Sequence, residues 1–329
     1  MKILVTGANG FVGGAIVQEF LDNDFDQTEI FCVGGLRSKI PKFPNYFAVD
    51  ITKEENLAEL LKISKIDTFI HSAGLAHQFA DTPPEKFWEI NAKGTENAVS
   101  LAARLNTRHF ILISSVSVYG SKKQKENQRG GITENEICEP EGVYAQSKLE
   151  AERIAERICR ENKIALTVLR LATVIGEGDG GNVLRLIRMI DKRRFVWIGK
   201  GKNQKSLIYK ADAARACRII ACKKKGNERE VFNLSAAPVT VKEIVELIAE
   251  NLERNIPKIF ISSGLLLKSL QFSSRILNSR KIEKLSETIY KWVSNEAFSA
   301  DKIKREYGFE TQTSIAEALK REVGWYRSL

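Results

Sequence analysis

The stretch Lys2-Ile3-Leu4-Val5-Thr6-Gly7-Ala8-Asn9-Gly10-Phe11-Val12-Gly13 decides the fold. Residues 2–6 form a short β-rich run. An apolar-periodic segment carrying Ala15, Ile16, Phe20 and Leu21 follows the glycines. The order is strand, glycine turn, helix. Within the G-x-x-G-x-x-G spacing each glycine has its own task. Gly7 permits the tight turn, Gly10 lets the backbone approach a diphosphate, and Gly13 lets the helix pack close to the strand. The free N–H groups and partial positive charge at the helix start complete a phosphate cradle that includes Phe11 and Val12.

Outward from the cradle, strand and helix patterns alternate. A second strand reads at 29–33, a third at 46–51 with Asp50 and Ile51 at its end, and a fourth at 68–70 running into His71-Ser72-Ala73-Gly74. A helix around 87–105 contains Asn91. The fifth strand, 110–113, leads to Ser114-Ser115, and the sixth spans 165–171. This alternation predicts an α/β fold, a Rossmann-type doubly wound parallel sheet whose ligands lie beyond the carboxyl ends of the strands. Gly7, Asp50, Gly74 and Ser115 all fall at such ends. No acid follows the second strand, where NAD-selective sites hold a ribose hydroxyl. Arg37 and Ser38 stand there instead and suit a 2′-phosphate, so the cofactor is expected to be NAD or NADP with a lean to NADP.

Tyr144 and Lys148 lie four apart, one turn above the other on a predicted helix. Lys148 is expected to favour the phenolate of Tyr144 and lower a pKa that starts near ~10. The polar segment 121–141 between the fifth strand and this helix reads as a loop suited to lid the site.

The chain's 329 residues are enough for two lobes, and 43% apolar with 28% charged residues describes a globular protein. No leader peptide is expected from the opening residues, and no apolar run approaches the ~20 residues of a membrane span. Five scattered cysteines without a CxxC pair predict reduced thiols in a cytoplasmic protein. With three histidines, His71, His77 and His109, none beside a cysteine pair, no metal site is expected. The net charge of +10 is dispersed, apart from short runs such as Lys122-Lys123 and Lys223–Lys225, which argues against nucleic acid. It suits solvated loops, an anionic substrate, or an anionic membrane surface where membrane-bound enzymes of the pathway sit.

Taken together, the motifs resemble those of the extended short-chain dehydrogenase/reductase family in its nucleotide-sugar epimerase/dehydratase branch. The resemblance rests on residues 6–13, Asp50-Ile51, His71–Gly74, Asn91–Thr95, Ser114–Gly120, Tyr144-x-x-x-Lys148 and Leu169-Arg170. It continues through Gly176–Asp179, Ser206–Tyr209 and Phe232–Leu234. It implies Tyr144 as catalytic acid/base, Lys148 as its partner and nicotinamide-ribose ligand, and Ser115 as the hydroxyl holding the reacting sugar oxygen. It further implies cofactor contacts from Gly7, Gly10, Phe11, Val12, Gly13, Arg37, Asp50, Ile51, Ala73, Gly74 and Asn91. Substrate contacts are implied at Ser115, Thr173, Asn182 and Lys205. Thr173 stands where many members have Asn, and Lys205 where Arg is common, which exchanges a bidentate fork for a point charge.

The expected organisation is a dinucleotide-binding domain over 1–177, with a returning contribution from 206–236, and a smaller mixed lobe over 178–329 for the nucleotide sugar. Thr240-Val241-Lys242-Glu243 reads as a capping box, residues 264–291 as an amphipathic basic helix for core or dimer packing with a membrane-surface helix as the alternative, and Ser314–Tyr326 as a final helix. The resemblance implies a homodimer acting at C4 of a UDP-hexose or UDP-N-acetylhexosamine through a 4-keto intermediate. The alternatives are an NAD(P)H-dependent reductase of a UDP-4-keto-6-deoxy sugar and a non-catalytic NAD(P)-sensing scaffold.

Overall fold

The structure is a computed structural model of the whole chain. It describes residues 1–23, 25–35, 43, 45–63, 65–76, 82–120, 130–223, 229–264, 266, 289–290 and 292–329. Arg37, Ser38 and His77, residues 121–129 of the expected lid and most of the 264–291 stretch lie outside the described residues.

Seven strands form one sheet: β1 Ile3–Thr6, β2 Ile30–Gly34, β3 Tyr46–Ala48, β4 Thr68–His71, β5 His109–Ser115, β6 Ala165–Leu171 and, from far along the chain, β11 Arg229–Leu234. Their order is β11-β6-β5-β4-β1-β2-β3, and every pairing is parallel. The strands β1, β4 and β6 are buried at every residue because a parallel sheet is covered on both faces.

One face carries α1 (Phe11–Leu21), whose Ile16, Val17 and Phe20 share a core with Ile3, Val5 and Ile30. The other face carries α3 (Gly94–Arg104), α4 (Gly142–Glu161) and a 3-10 run over Glu54–Lys62, packed on Leu4, Phe69 and Phe110. The expected long helix at 87–105 is three pieces. A short α2 (Pro84–Phe87) runs into a π-helical turn, Trp88–Lys93, and then into α3. π turns inside helices mark places where a side chain must be re-aimed, and Asn91 stands in this one.

Beyond β6 the chain adds β7 (Thr173–Ile175), α5 (Asn182–Asp191), β8 (Trp197–Ile198), β9 (Gln204–Lys205) and β10 (Leu207–Tyr209). Helix α6 (Lys210–Cys222) then returns to pack beside α1, before β11 joins the large sheet. β12 (Val239–Thr240), α7 (Val241–Leu252), β13 (Phe260–Ile261), α8 (Asp301–Tyr307) and α9 (Ile315–Arg327) complete the order. A separate core joins α5, α7 and α9 through Ile187, Ile248 and Leu319. The capping box forms as read. Thr240 accepts from the Glu243 N–H at 3.1 Å, and Glu243 accepts from the Thr240 N–H at 2.6 Å. Ser314 caps α9 by accepting from the Glu317 N–H.

The glycine turn leaves no room for side chains. A Cβ on Gly13 would stand 2.1 Å from the Gly7 carbonyl oxygen. One on Gly7, whose φ is +69°, would stand 2.7 Å from the Ala73 nitrogen. The colliding atoms are backbone and cannot swing aside. Gly13→Ala is therefore expected to lower the free energy of unfolding by about 1–3 kcal/mol or more. A chemical-denaturation midpoint equal to that of the unsubstituted chain would contradict this packing.

Candidate active site

The carboxyl ends of the parallel strands share one edge of the sheet. There Gly7 follows β1, Ala73 and Gly74 follow β4, and Ser115 closes β5. Gly10 caps α1 in extended backbone with no side-chain bond, and it is exposed. A Cβ on Gly10 would meet only the Gly7 oxygen, at 3.1 Å, so its outer side faces open space above the α1 N-terminus. That is the geometry a diphosphate requires. Nearby, the Asn9 amide nitrogen and the Tyr46 hydroxyl are buried without a hydrogen-bond partner beside Gly34, the last residue of β2. Asp50 accepts from the Thr52 N–H and hydroxyl, which holds its carboxyl below the usual range despite burial. The Ile51 carbonyl accepts from Asn97 at 2.9 Å.

A directed hydrogen-bond chain sets the floor. Asn91 accepts from the Leu75 N–H at 2.7 Å and donates to the Leu75 carbonyl at 3.1 Å and to Ser147 at 3.0 Å. Ser147 donates to the Tyr144 carbonyl at 2.8 Å. Asn91 thus ties the loop after β4 to α4, and its Oδ1 lies 3.2 Å from where a Cβ on Gly74 would be. The Thr95 hydroxyl spends its proton on the Asn91 carbonyl at 2.6 Å. It must therefore accept from His71 Nε2, 3.1 Å away. His71 Nδ1 is left as acceptor for the Thr6 hydroxyl at 2.7 Å. One imidazole tautomer follows from the bonding. Burial first, and the Lys148 charge second, push this imidazole down to about 3.

Tyr144 and Lys148 occupy the first turns of α4. The half-buried Tyr144 meets Phe87 edge to face, with ring centroids 6.3 Å apart. Its phenol stands near the Ser115 hydroxyl, whose oxygen accepts from the Ser117 N–H at 3.2 Å. Lys148 is buried and donates to the Ile113 carbonyl of β5 at 2.6 Å. The sequence expectation of a lowered Tyr144 pKa is corrected for the chain by itself. Burial pushes the phenol up, and the Ser115 hydroxyl pulls it only part of the way back. Burial brings Lys148 down to about 8, and Glu152 opposes that fall. The lysine's charge is spent on a strand carbonyl, which spacing along a helix does not reveal.

One residue the sequence reading missed lies a layer deeper and gathers others that the motifs already contain. Glu152, one turn beyond Lys148, accepts a two-pronged bond from Arg170 at 3.1 and 2.7 Å, and Ser114 donates to the same carboxylate. Arg170 lies over the Tyr119 ring, 4.9 Å from its centroid, and Tyr119 donates to Asn233 on β11. The signal was present in the i, i+4 series Tyr144, Lys148, Glu152, which puts all three on one helix face.

The substrate-side residues are less gathered. Phe11 reaches within 3.8 Å of a Cβ position on Gly178, so the 176–181 link passes over the cradle. Thr173 and Asn182 are exposed, the latter as the first residue of α5. Lys205 is buried and paired with Glu296 at 3.1 Å, so a diphosphate there would share its ammonium with that carboxylate.

The family model described as "NAD dependent epimerase/dehydratase family" matches residues 3–235. The chain belongs to this family. It is therefore an NAD-dependent enzyme, and the open cradle at Gly10 fits that cofactor. Among its relatives is the N-acetyl-alpha-D-glucosaminyl-diphospho-ditrans,octacis-undecaprenol 4-epimerase of Escherichia coli O157:H7. That protein is 24% identical over 97% of this chain and 93% of its own length. The dTDP-D-glucose 4,6-dehydratase of Mus musculus is 22% identical over 99% of this chain and 88% of its own. The UDP-glucose 4-epimerase of Thermotoga maritima, solved with UDP-glucose, superimposes with a TM-score of 0.77. It is 23% identical, covering 100% of this chain and 99% of its own. At that identity the likeness speaks to the fold of this epimerase/dehydratase family member.

Two outcomes test the site. Glu152→Ala strands the Arg170 guanidinium in the core and is expected to cost about 3–5 kcal/mol of stability, read from thermal or denaturant unfolding. A loss near zero would show that the pair is dispensable. The second concerns His71, whose folded pKa is depressed from the ordinary 6.5 to about 3. The unfolded chain then binds more protons between those values. The stability His71 contributes is full above 6.5 and drains away as pH falls toward about 3. Its ring-proton NMR shift should stay flat through the range of about pH 5 to 8 where an ordinary imidazole titrates. A midpoint within that range would overturn the bonding pattern.

Proposed function

We propose that the enzyme inverts C4 of a hexose or N-acetylhexosamine carried on UDP, through a 4-keto sugar. The observation that carries this reading is the placing of Tyr144 near Ser115 at the end of β5, with Lys148 one turn along the same helix and buried against β5. Bound NAD supplies the hydride acceptor and donor. Tyr144 takes the C4 hydroxyl proton and later returns it. Ser115 donates to the sugar oxygen and holds it in line. Lys148, still largely protonated near neutral pH, favours the phenolate once the site closes and excludes water. Gly74, flanked by Asn91 and Lys148, leaves the backbone bare where the nicotinamide ribose would lie. Thr173, Asn182 and Lys205 are assigned to the nucleotide sugar, and the second core around α5 forms its lobe.

Support comes from the relatives' own activities, which include UDP-glucose 4-epimerase and the 4-epimerase of an undecaprenol-linked N-acetylglucosamine. The test offers UDP-glucose, UDP-N-acetylglucosamine and the polyprenol-diphospho form, and reads product configuration by NMR. Conversion of a UDP-sugar with no net change in reduced nicotinamide is expected. Stoichiometric consumption of reduced cofactor with a 4-keto sugar would replace this reading with the reductase. Tyr144→Phe is expected to lower kcat by about 10²–10⁴ while bound NAD is retained. Undiminished turnover would remove Tyr144 from the role.

A further inference from the structure

Three consecutive apolar side chains stand in solvent at β13. Ile259, Phe260 and Ile261 are 66%, 57% and 38% exposed. They are not a loose end. Their strand is laddered to β8, with Trp197 N–H donating to the Ile259 carbonyl and Gly199 N–H to the Ile261 carbonyl. Phe260 lies flat on Trp197, with centroids 5.9 Å apart. Val196, beside that ladder, is 39% exposed, and Met189 at the end of α5 is 43% exposed. Apolar side chains exposed along a laddered strand in this way are unusual on a surface unless something covers them.

The surrounding charge says what. Lys192, Arg193 and Arg194 form the turn from α5 to β8, and Lys258 precedes the apolar run; all four are exposed. The Arg194 N–H bonds the Met189 carbonyl at 2.8 Å, which holds that turn against the exposed methionine. The acids of these segments are already paired, Asp191 with Arg254 and Glu253 with Arg327. Apolar residues bordered by cations match an anionic headgroup layer over acyl chains. A nucleic acid would leave the isoleucines in water, and a basic protein would be repelled. Among the described residues no helix is long and apolar enough to cross a membrane, so the contact is with a surface.

We propose that the β8–β13 edge docks the protein on an anionic bilayer, with Val196 and Ile259–Ile261 in the headgroup region and the cations on lipid phosphates. Helix α5, ten residues and about 15 Å long, runs from Asn182 to this edge. The docking does not depend on which sugar is turned over.

The test is sedimentation of the full chain with phosphatidylcholine vesicles, with and without phosphatidylglycerol, at low and high salt. Binding only to the phosphatidylglycerol vesicles, lost at high salt, is expected. The Phe260→Ser, Ile261→Ser double variant and the Arg194→Glu, Lys258→Glu double variant should each bind roughly tenfold more weakly or worse. Their melting and their NAD binding should be unchanged, which separates docking from folding and from the epimerase reading. Absence of binding to anionic vesicles would overturn the proposal, as would binding that ignores both pairs of substitutions. A wild-type dimer that the Phe260→Ser, Ile261→Ser variant turns into a monomer would also overturn it, because a second copy would then own the edge.

Discussion

The structure depends on how closely two pieces of backbone approach. The turn after β1 lies against the start of α1 on one side and against the turn after β4 on the other. Both contacts are at distances that exclude a single methylene at Gly7 or Gly13. That approach brings the helix N-terminus to the sheet edge, and it brings Ala73 and Gly74 beside the cradle. The close contact is purchased with glycine's conformational freedom, which an unfolded chain loses on folding. The large cores on both sheet faces supply the burial that offsets it.

From this edge, order is passed by hydrogen bonds. The Thr6–His71–Thr95–Asn91 chain crosses β1, β4 and the π turn, and Asn91 hands it to α4 through Ser147. Below it, the Glu152–Arg170 pair ties α4 to β6, and Ser114 joins the same carboxylate beside Ser115. Tyr144 and Ser115 are therefore flanked on two sides by hydrogen-bonded groups. Preorganisation of this kind lets a hydroxyl pair act without first being ordered. The buried network is fully bonded around Glu152, the condition under which a buried charge is tolerated.

Much of this was legible in the chain. The alternation of strands and helices, the glycine spacing, the capping box at Thr240 and the Tyr144/Lys148 pair all arise from local periodicity and local conformational limits. Those are properties of neighbouring residues. The partners of Lys148 were not legible, because its ammonium is satisfied by a carbonyl 35 residues away in sequence. The same holds for Lys205, whose partner Glu296 comes from a distant segment. The π turn was missed because one extra residue per turn leaves the apolar pattern of 87–105 almost unchanged.

The sequence by itself determined the class of fold and the glycine turn at its edge, and it named the residues proposed to handle the proton, since spacing and residue chemistry suffice for these. Tertiary structure alone decided their states. Burial raises Tyr144, lowers Lys148 and keeps His71 neutral. The physical reason is that a pKa depends on how much water and charge surround a group in three dimensions. The Ile259–Ile261 run belongs to the same category: only the packing shows how far these side chains stand exposed.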